Sequence, residues 1–274
     1  MEVTPAFVPA RGKEIKRNGA GAMMKRGSRK CGAKRIKVPA VSCPERKMIF
    51  QTLAVAALSL LPPSAPAQLS PQSDESVVCR PASERKTELG CWILADNPIG
   101  QLGGSEVYWY LDVYPTLYAA EQAKEPDGTV IKALGKIWLL TIAKSGWRPV
   151  HPGEHAGTIG PIPIHTGSKY SSQFMEAIFA PGMHSRIHLH SGAEAWFTVA
   201  GKTCLETPQG ELVSYPGGPA VIIPEGLPMK LTAVGNEQRR GLVLILHDSS
   251  SPATTPVHDW QPKGLCEELA DTSR

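Results

Sequence analysis

His188 and His190 stand two residues apart, and Glu194 follows four residues later in a segment that otherwise alternates like a strand. Successive strand side chains point to opposite faces, so the two imidazoles share one face, roughly 6 to 7 Å apart at the backbone, and can reach a single ion. Ser191-Gly192-Ala193 reads as a tight turn or bulge. On the returning strand, Glu194, Trp196, Thr198 and Ala200 share one face and Ala195, Phe197 and Val199 the other, which sets Glu194 opposite the histidine pair. Two neutral imidazoles and a carboxylate, with coordination positions left open, form the ligand set of non-haem iron(II) oxygenases; manganese, nickel, copper or zinc can also occupy it. The competing reading is a hydrogen-bonded polar cluster without an ion. Burying two histidines and a glutamate without a cation is costly, which favours the metal.

These residues belong to a longer pattern: Gly182, five residues, His188-x-His190, three residues, Glu194, six residues, Gly201. The pattern resembles the first motif of the cupins at every fixed position. The second cupin motif is matched at Gly218, Pro224 and Gly226, whereas Met229 stands where that motif has a third histidine and Ala233 where it has an asparagine. The resemblance runs from about Phe174 to His247. It implies an all-β fold, a jelly-roll (cupin) β-barrel whose mouth holds a divalent metal ion through His188, His190 and Glu194. Met229 is the candidate for a fourth position. A thioether is a soft, weak ligand suited to copper(I), but as a flexible apolar side chain it fills core gaps well, and packing is the preferred reading. His184 shares the parity of His188, but Ser185 and Arg186 intervene, and it reads as rim or loop.

Three classes of function are compatible with that resemblance. The first is a metal-dependent oxygenase or isomerase of a small organic molecule. The second is a non-catalytic binding or sensing module for a small ligand such as a sugar or an acid. The third is a metal-free epimerase, which needs a histidine base and an opposed acid, for which Tyr110 and Tyr215 are the candidates. Other groupings carry less. His151-Pro-Gly-Glu154-His155 has zinc-like spacing, but Pro152 and Gly153 preclude the helix that would bring both rings to one side. Tyr108-Trp109-Tyr110, Trp138 and Trp147 read as core before they read as cavity lining. His247-Asp248 lacks an accompanying nucleophile motif, and Gly103-Gly104 and Gly217-Gly218 are turn glycines, not phosphate loops.

The elements that must position these residues follow from the rest of the chain. With 26 glycines and 25 prolines in 274 residues, the composition suits a turn-rich β protein. The net charge of +4 misleads, because residues 1–47 hold 13 Lys/Arg against 3 Asp/Glu and leave 16 basic and 22 acidic residues elsewhere. Nucleic-acid binding is therefore not expected. Residues 1–47 read as a basic leader or a start assigned too far upstream, with Met23, Met24 and Met48 available. Residues 48–67 read as a signal peptide: the apolar run Met48 to Leu61, then Ala65-Pro66-Ala67 with cleavage after Ala67. That run is shorter than the roughly 20 residues a bilayer span needs, so the expected location is secreted or periplasmic, without stable membrane insertion.

Cys31 and Cys43 fall in the leader, and four cysteines remain, an even number suited to an oxidising compartment. Of the three connectivities, Cys79–Cys91 with Cys204–Cys266 is the preferred one. Residues 68–86 read as loose, 87–247 as the barrel with added N-terminal strands, and 248–274 as a Ser/Pro-rich tail. Thr116 to Lys124 is the one short helix, set between Pro115 and Glu125-Pro126. The upstream strands lack a second His-x-His and read as additions around one barrel. The sequence leaves the oligomeric state open; the cupin resemblance implies that a homodimer through exposed strand edges is available to it, with a small-molecule ligand as the partner in the site.

Overall fold

Short apolar runs punctuated by Gly, Pro and Asn turns fold into strands over most of residues 76–271, the part of the chain that the computed structural model describes. The segments read as a basic leader (1–47) and a signal peptide (48–67), and residues 68–75 and 272–274, lie outside the described residues, with Cys31 and Cys43. The first half holds β1 (Cys79–Pro81), β2 (Gly90–Gln101), β3 (Glu106–Tyr114), helix α1 (Leu117–Ala123), β4 (Gly128–Ala133), β5 (Lys136–Ala143) and β6 (Glu154–Pro163). The second half holds β7 (Lys169–Phe179), β8 (His188–His190), β9 (Gly192–Ala200), β10 (Lys202–Thr207), β11 (Gly210–Ser214) and β12 (Val221–Ile223). It closes with β13 (Lys230–Val234), β14 (Arg239–Asp248), β15 (Thr254–Pro256) and helix α2 (Leu265–Asp271).

The run Gly241-Leu-Val-Leu-Ile-Leu246 in β14 explains the layering. It does not alternate, as a strand buried on both faces need not. Leu242, Leu244 and Leu246 join one apolar cluster with Trp109, Leu111, Trp138 and Leu140, whereas Val243 and Ile245 join another with Met175, Trp196, Leu205 and Leu231. β14 lies inside a six-stranded sheet of order β1-β2-β7-β14-β9-β12. One face of that sheet packs on a four-stranded sheet, β4-β5-β3-β6, and the other on a three-stranded sheet, β11-β10-β13. Of the upstream strands expected to surround the barrel, β3 to β6 form a layer of their own over one face of its main sheet, whereas β1 and β2 extend the main sheet itself. The barrel is a pair of facing sheets, not a continuous closed ring.

The helix forms where the sequence predicts it. Thr116 caps it, its hydroxyl accepting from the backbone N–H of Ala119 at 3.1 Å, while Ala120 and Ala123 turn inward. Both expected disulfides are present, Cys79–Cys91 and Cys204–Cys266.

Two expectations need correction. The segment up to Lys86 is not loose throughout: β1 pairs in parallel with β2, and the Arg85 guanidinium lies over Trp92 and pairs with the buried carboxylate of Glu176. Nor is the C-terminal segment a mere tail, because β15 pairs with β8 and α2 is held by Cys266. Both are short segments of polar or Pro-rich sequence whose order comes from tertiary partners, a signal that local pattern does not carry.

Two glycines of the histidine motif are fixed by close backbone approach. A Cβ on Gly192 would stand 2.0 Å from the Leu246 carbonyl oxygen, and one on Gly201, at φ +64°, would stand 2.7 Å from that of Gln238. Backbone cannot yield as a flexible side chain does. Replacing Gly192 by Ala is therefore expected to lower unfolding free energy by about 2 to 4 kcal/mol in a urea titration. A loss below half a kcal/mol would show that β9 can shift away from β14.

Candidate functional site

β8 places His188 and His190 on one side, and the strand is held on both edges. Thr254 of β15 pairs with His190, and Met229 bridges His188 through hydrogen bonds in both directions at 2.8 and 3.1 Å. The two rings meet edge to face with centroids 4.8 Å apart. Ser191 links β8 to β9, and Glu194 brings a carboxylate oxygen to 3.7 Å from His190 Nε2. Ala193, Ala195 and Phe197 turn to the four-stranded sheet, whereas Trp196 joins the opposite cluster, so Glu194 is on the barrel side as its parity requires.

The protonation pattern of the rings follows from their partners. His188 Nδ1 lies 2.7 Å from the Arg186 carbonyl oxygen, and His190 Nδ1 lies 3.0 Å from that of Ala253. A carbonyl only accepts, so each Nδ1 carries the hydrogen and each neutral ring keeps its lone pair on Nε2. His190 Nε2 and Glu194 Oε2 are buried without a hydrogen-bond partner among the described residues. Two orphaned acceptors facing each other repel and are poorly solvated, a defect that a cation or a proton relieves. As the side chains stand, no three His, Cys, Asp or Glu groups among the described residues converge into a ready ligand cluster.

Electrostatics agree with that crowding. Burial pushes the His188 imidazole below its ordinary value, with His190 adding to the push and Glu194 opposing it. Burial takes His190 down to about 4, against its hydrogen bond to Ala253, and His247 adds to the fall. The same burial raises the Glu194 carboxyl, against the pull of His188, the neighbouring Trp196 indole N–H and Arg239. Arg239 is fully buried; its Nε donates to the Thr203 hydroxyl at 2.8 Å and one Nη to the Ala177 carbonyl at 3.1 Å. Burial lowers it to about 10, with Glu194 opposing.

The three residues open into a cavity of about 300 Å³ between the sheets. Its walls are mostly apolar, and Val77, Val78 and the Cys79–Cys91 disulfide border it. Met229 does not border it: the side chain is 1% exposed and packs in the apolar cluster of the barrel, so the possible fourth ligand sits as packing. His184 bridges Thr232 at the end of the three-stranded sheet.

Several candidates from the sequence lie elsewhere. Tyr110 donates its hydroxyl to the Lys144 carbonyl and packs on Trp147, and Tyr215 is exposed; neither borders the cavity, so the acid partner required by a metal-free epimerase is not supplied by them. His155 pairs with the buried Asp112 at 3.0 Å and with Thr158, not with His151 or Glu154. His247 Nδ1 donates to the Asp248 carbonyl, and its Nε2 faces Asp96 at 3.6 Å.

Sequence reasoning missed the supports. Ala253 and Thr254 orient His190 from 63 and 64 residues downstream. Gln173, which borders the cavity, is fixed by Asp96 through a 2.9 Å hydrogen bond. Arg239 carries a signal only in hindsight, as a charge opening an apolar strand. Nothing in the Ser/Pro-rich composition of residues 248–256 marked Ala253 or Thr254.

Facing sheets, a motif from Gly182 to Gly201 laid across β8 and β9, and a cavity opening beside its histidines make this a cupin fold. No family model and no curated protein matches the chain. Among solved structures, oxalate oxidase in complex with the substrate analogue glycolate is 21% identical over 32% of this chain and 46% of its own, with a TM-score of 0.27. A cupin superfamily protein from Desulfitobacterium hafniense is 13% identical over 32% of this chain and 74% of its own, TM-score 0.26. The capsular polysaccharide assembling protein CapF from Staphylococcus aureus is 16% identical over 35% and 34%, TM-score 0.28. The chain thus spans under half the length of the oxalate oxidase it matches. Residue roles rest on the geometry above.

A buried neutral imidazole makes the metal-free protein acid-sensitive. His190 is lowered from 6.5 to about 4 in the folded state, so between those values the unfolded chain binds more protons and stability falls as pH falls. Glu194, raised, contributes with the opposite sign. Between pH 7 and 4.5, His190→Gln is expected to lose roughly 2 to 3 kcal/mol less unfolding free energy than the metal-free parent. Parallel curves for the two proteins would mean that His190 is not buried neutral.

Proposed function

We propose that this chain is an exported cupin that binds one divalent metal ion through His188, His190 and Glu194. The observation that carries the reading is the pair of unpartnered, buried acceptors, His190 Nε2 and Glu194 Oε2, 3.7 Å apart beside a ring whose Nδ1 is already committed. His188 supplies the third donor, its Nδ1 likewise committed to the Arg186 carbonyl. A nitrogen, nitrogen, oxygen set suits iron, manganese, nickel, copper or zinc alike. When bound, such an ion supplies a Lewis-acid centre with positions free for a small organic ligand.

The chain's own residues do the rest. Carbonyls of Arg186 and Ala253 hold the imidazoles in one tautomer and one orientation, and the apolar walls exclude water from the ligand. Metal-dependent oxygenation or isomerisation is the chemistry this arrangement supports best. A non-catalytic binding module is the second reading, favoured by the scarcity of acid–base groups bordering the cavity beyond the three proposed ligands. Two disulfides, which persist in oxidising compartments, support export to a secreted or periplasmic location. A homodimer remains the proposed assembly.

Elemental analysis of the full chain purified from an oxidising compartment is expected to find one metal ion per chain. His188→Ala or His190→Ala should abolish it, whereas Met229→Leu should change it by less than about twofold, because the thioether serves as packing. Metal content at background in the parent protein would end the metal reading. A large loss in the Met229 variant would instead make the thioether a ligand and point to copper.

A further inference from the structure

The cavity beside the histidines has walls of one character and a mouth of another. Ile93, Met175, Phe179, Leu231, Val243 and Ile245 give it a hydrocarbon lining drawn from both facing sheets. These side chains offer no partner to hydroxyl groups, and the bordering polar groups Gln173, Ser185 and Thr254 are already engaged with Asp96, the Leu231 N–H and His190, so a polyhydroxylated ligand would leave most of its donors unpaired at roughly 1 to 3 kcal/mol each. The volume of about 300 Å³ is at the low end for ligand cavities, which limits the occupant to a compact molecule.

The charge at the polar end has one sign. Glu194 is the only acidic residue bordering the cavity among the described residues. With two neutral imidazoles and a divalent ion, the centre keeps one net positive charge. Arg186 adds a second: it borders the cavity and is exposed, and its guanidinium has no hydrogen-bond or ion-pair partner among the described residues. Its backbone is committed on both sides, the N–H to the Val77 carbonyl and the carbonyl to His188 Nδ1, so its position beside the histidines is fixed even though its head group is free. A planar guanidinium beside a dry chamber is built for bidentate recognition of a carboxylate.

We propose that the cavity binds a compact organic carboxylate with a hydrocarbon body, the body among the apolar walls and the carboxylate at the polar end within reach of Arg186. The proposal deepens the metal reading and rests on it for one of the two positive charges; Arg186 supplies the other independently. It selects an acid over a sugar as the small-molecule partner.

Calorimetric titration of the full chain, with its metal content measured on the same samples, tests this with three probes. Benzoate carries a ring and a carboxylate, benzamide the ring without the charge, and gluconate the carboxylate on a polar body. Benzoate is expected to bind at least tenfold more tightly than benzamide, and gluconate not to bind. Arg186→Gln should weaken benzoate by roughly tenfold while leaving benzamide and the metal content unchanged. Gluconate binding as tightly as benzoate, benzamide matching benzoate, no binding of benzoate, or an Arg186 variant with unaltered benzoate affinity would overturn the proposal. The two readings fail separately: metal retained with gluconate preferred sinks only the ligand class, whereas benzoate bound through Arg186 by a metal-free chain sinks only the ion.

Discussion

Two hydrogen bonds from imidazole to backbone carbonyl govern the rest of the site. Because Arg186 and Ala253 take the Nδ1 hydrogens of His188 and His190, each ring must present its remaining lone pair from Nε2. Side-chain partners could reorganise with pH or with a rotamer change; backbone carbonyls next to β8 and β15, in segments tied by hydrogen bonds to Val77 and Ser191, have far less freedom to do so. The price is two neutral rings and a carboxyl group crowded into an apolar interior, which is why burial lowers both imidazoles and raises Glu194. Such a cluster is poorly satisfied by itself, a defect that either a cation or a proton would relieve.

The same crowding explains why the main sheet is covered on both faces. If the face of β7, β9 and β14 opposite the site were open to water, Phe174, Ala195, Leu242 and Leu244 would lose their packing and the register that points Glu194 inward would be weakly specified. The four-stranded sheet supplies that cover with Trp109, Leu111, Trp138 and Leu140. Its contribution to function is thus indirect: it holds β9 in the one register that sets Glu194 against His190.

Much of this was legible in the chain. The two-residue period put His188 with His190 and Glu194 with Trp196, and a pattern of fixed glycines pointed to a cupin barrel before any coordinates. Of those glycines Gly201 marks a place where strands touch backbone to backbone, as does Gly192, which read only as a turn; a Cβ at Gly182 or Gly226 would meet open space. Other features were illegible for physical reasons. Leu242 to Leu246 reads as one apolar run, and a run without alternation does not say that two different layers share it. Arg239 in a strand reads as a surface charge until its burial beside Phe179 and Trp196 is seen. Residues 248–256 are rich in Ser and Pro, and composition alone assigns such a segment to a tail.

That last segment shows how a distant stretch of chain becomes part of a site. Asp248 ends β14, and its backbone N–H donates to the Ser191 carbonyl at 3.1 Å, tying the start of the strap to the turn between β8 and β9. At the far end, Cys266 is bonded to Cys204 of β10. The intervening residues are closed into a loop anchored at both ends, so β15 gives up little further chain entropy when it docks on β8. The Ser191 hydroxyl donates to the Pro252 carbonyl at 2.7 Å, and the Thr254 hydroxyl meets the same His190 nitrogen as the Ala253 carbonyl. Orientation of His190 is therefore a property of the anchored strap as much as of β8, and the disulfide at Cys266 belongs to the structure of the site although it lies outside the cavity.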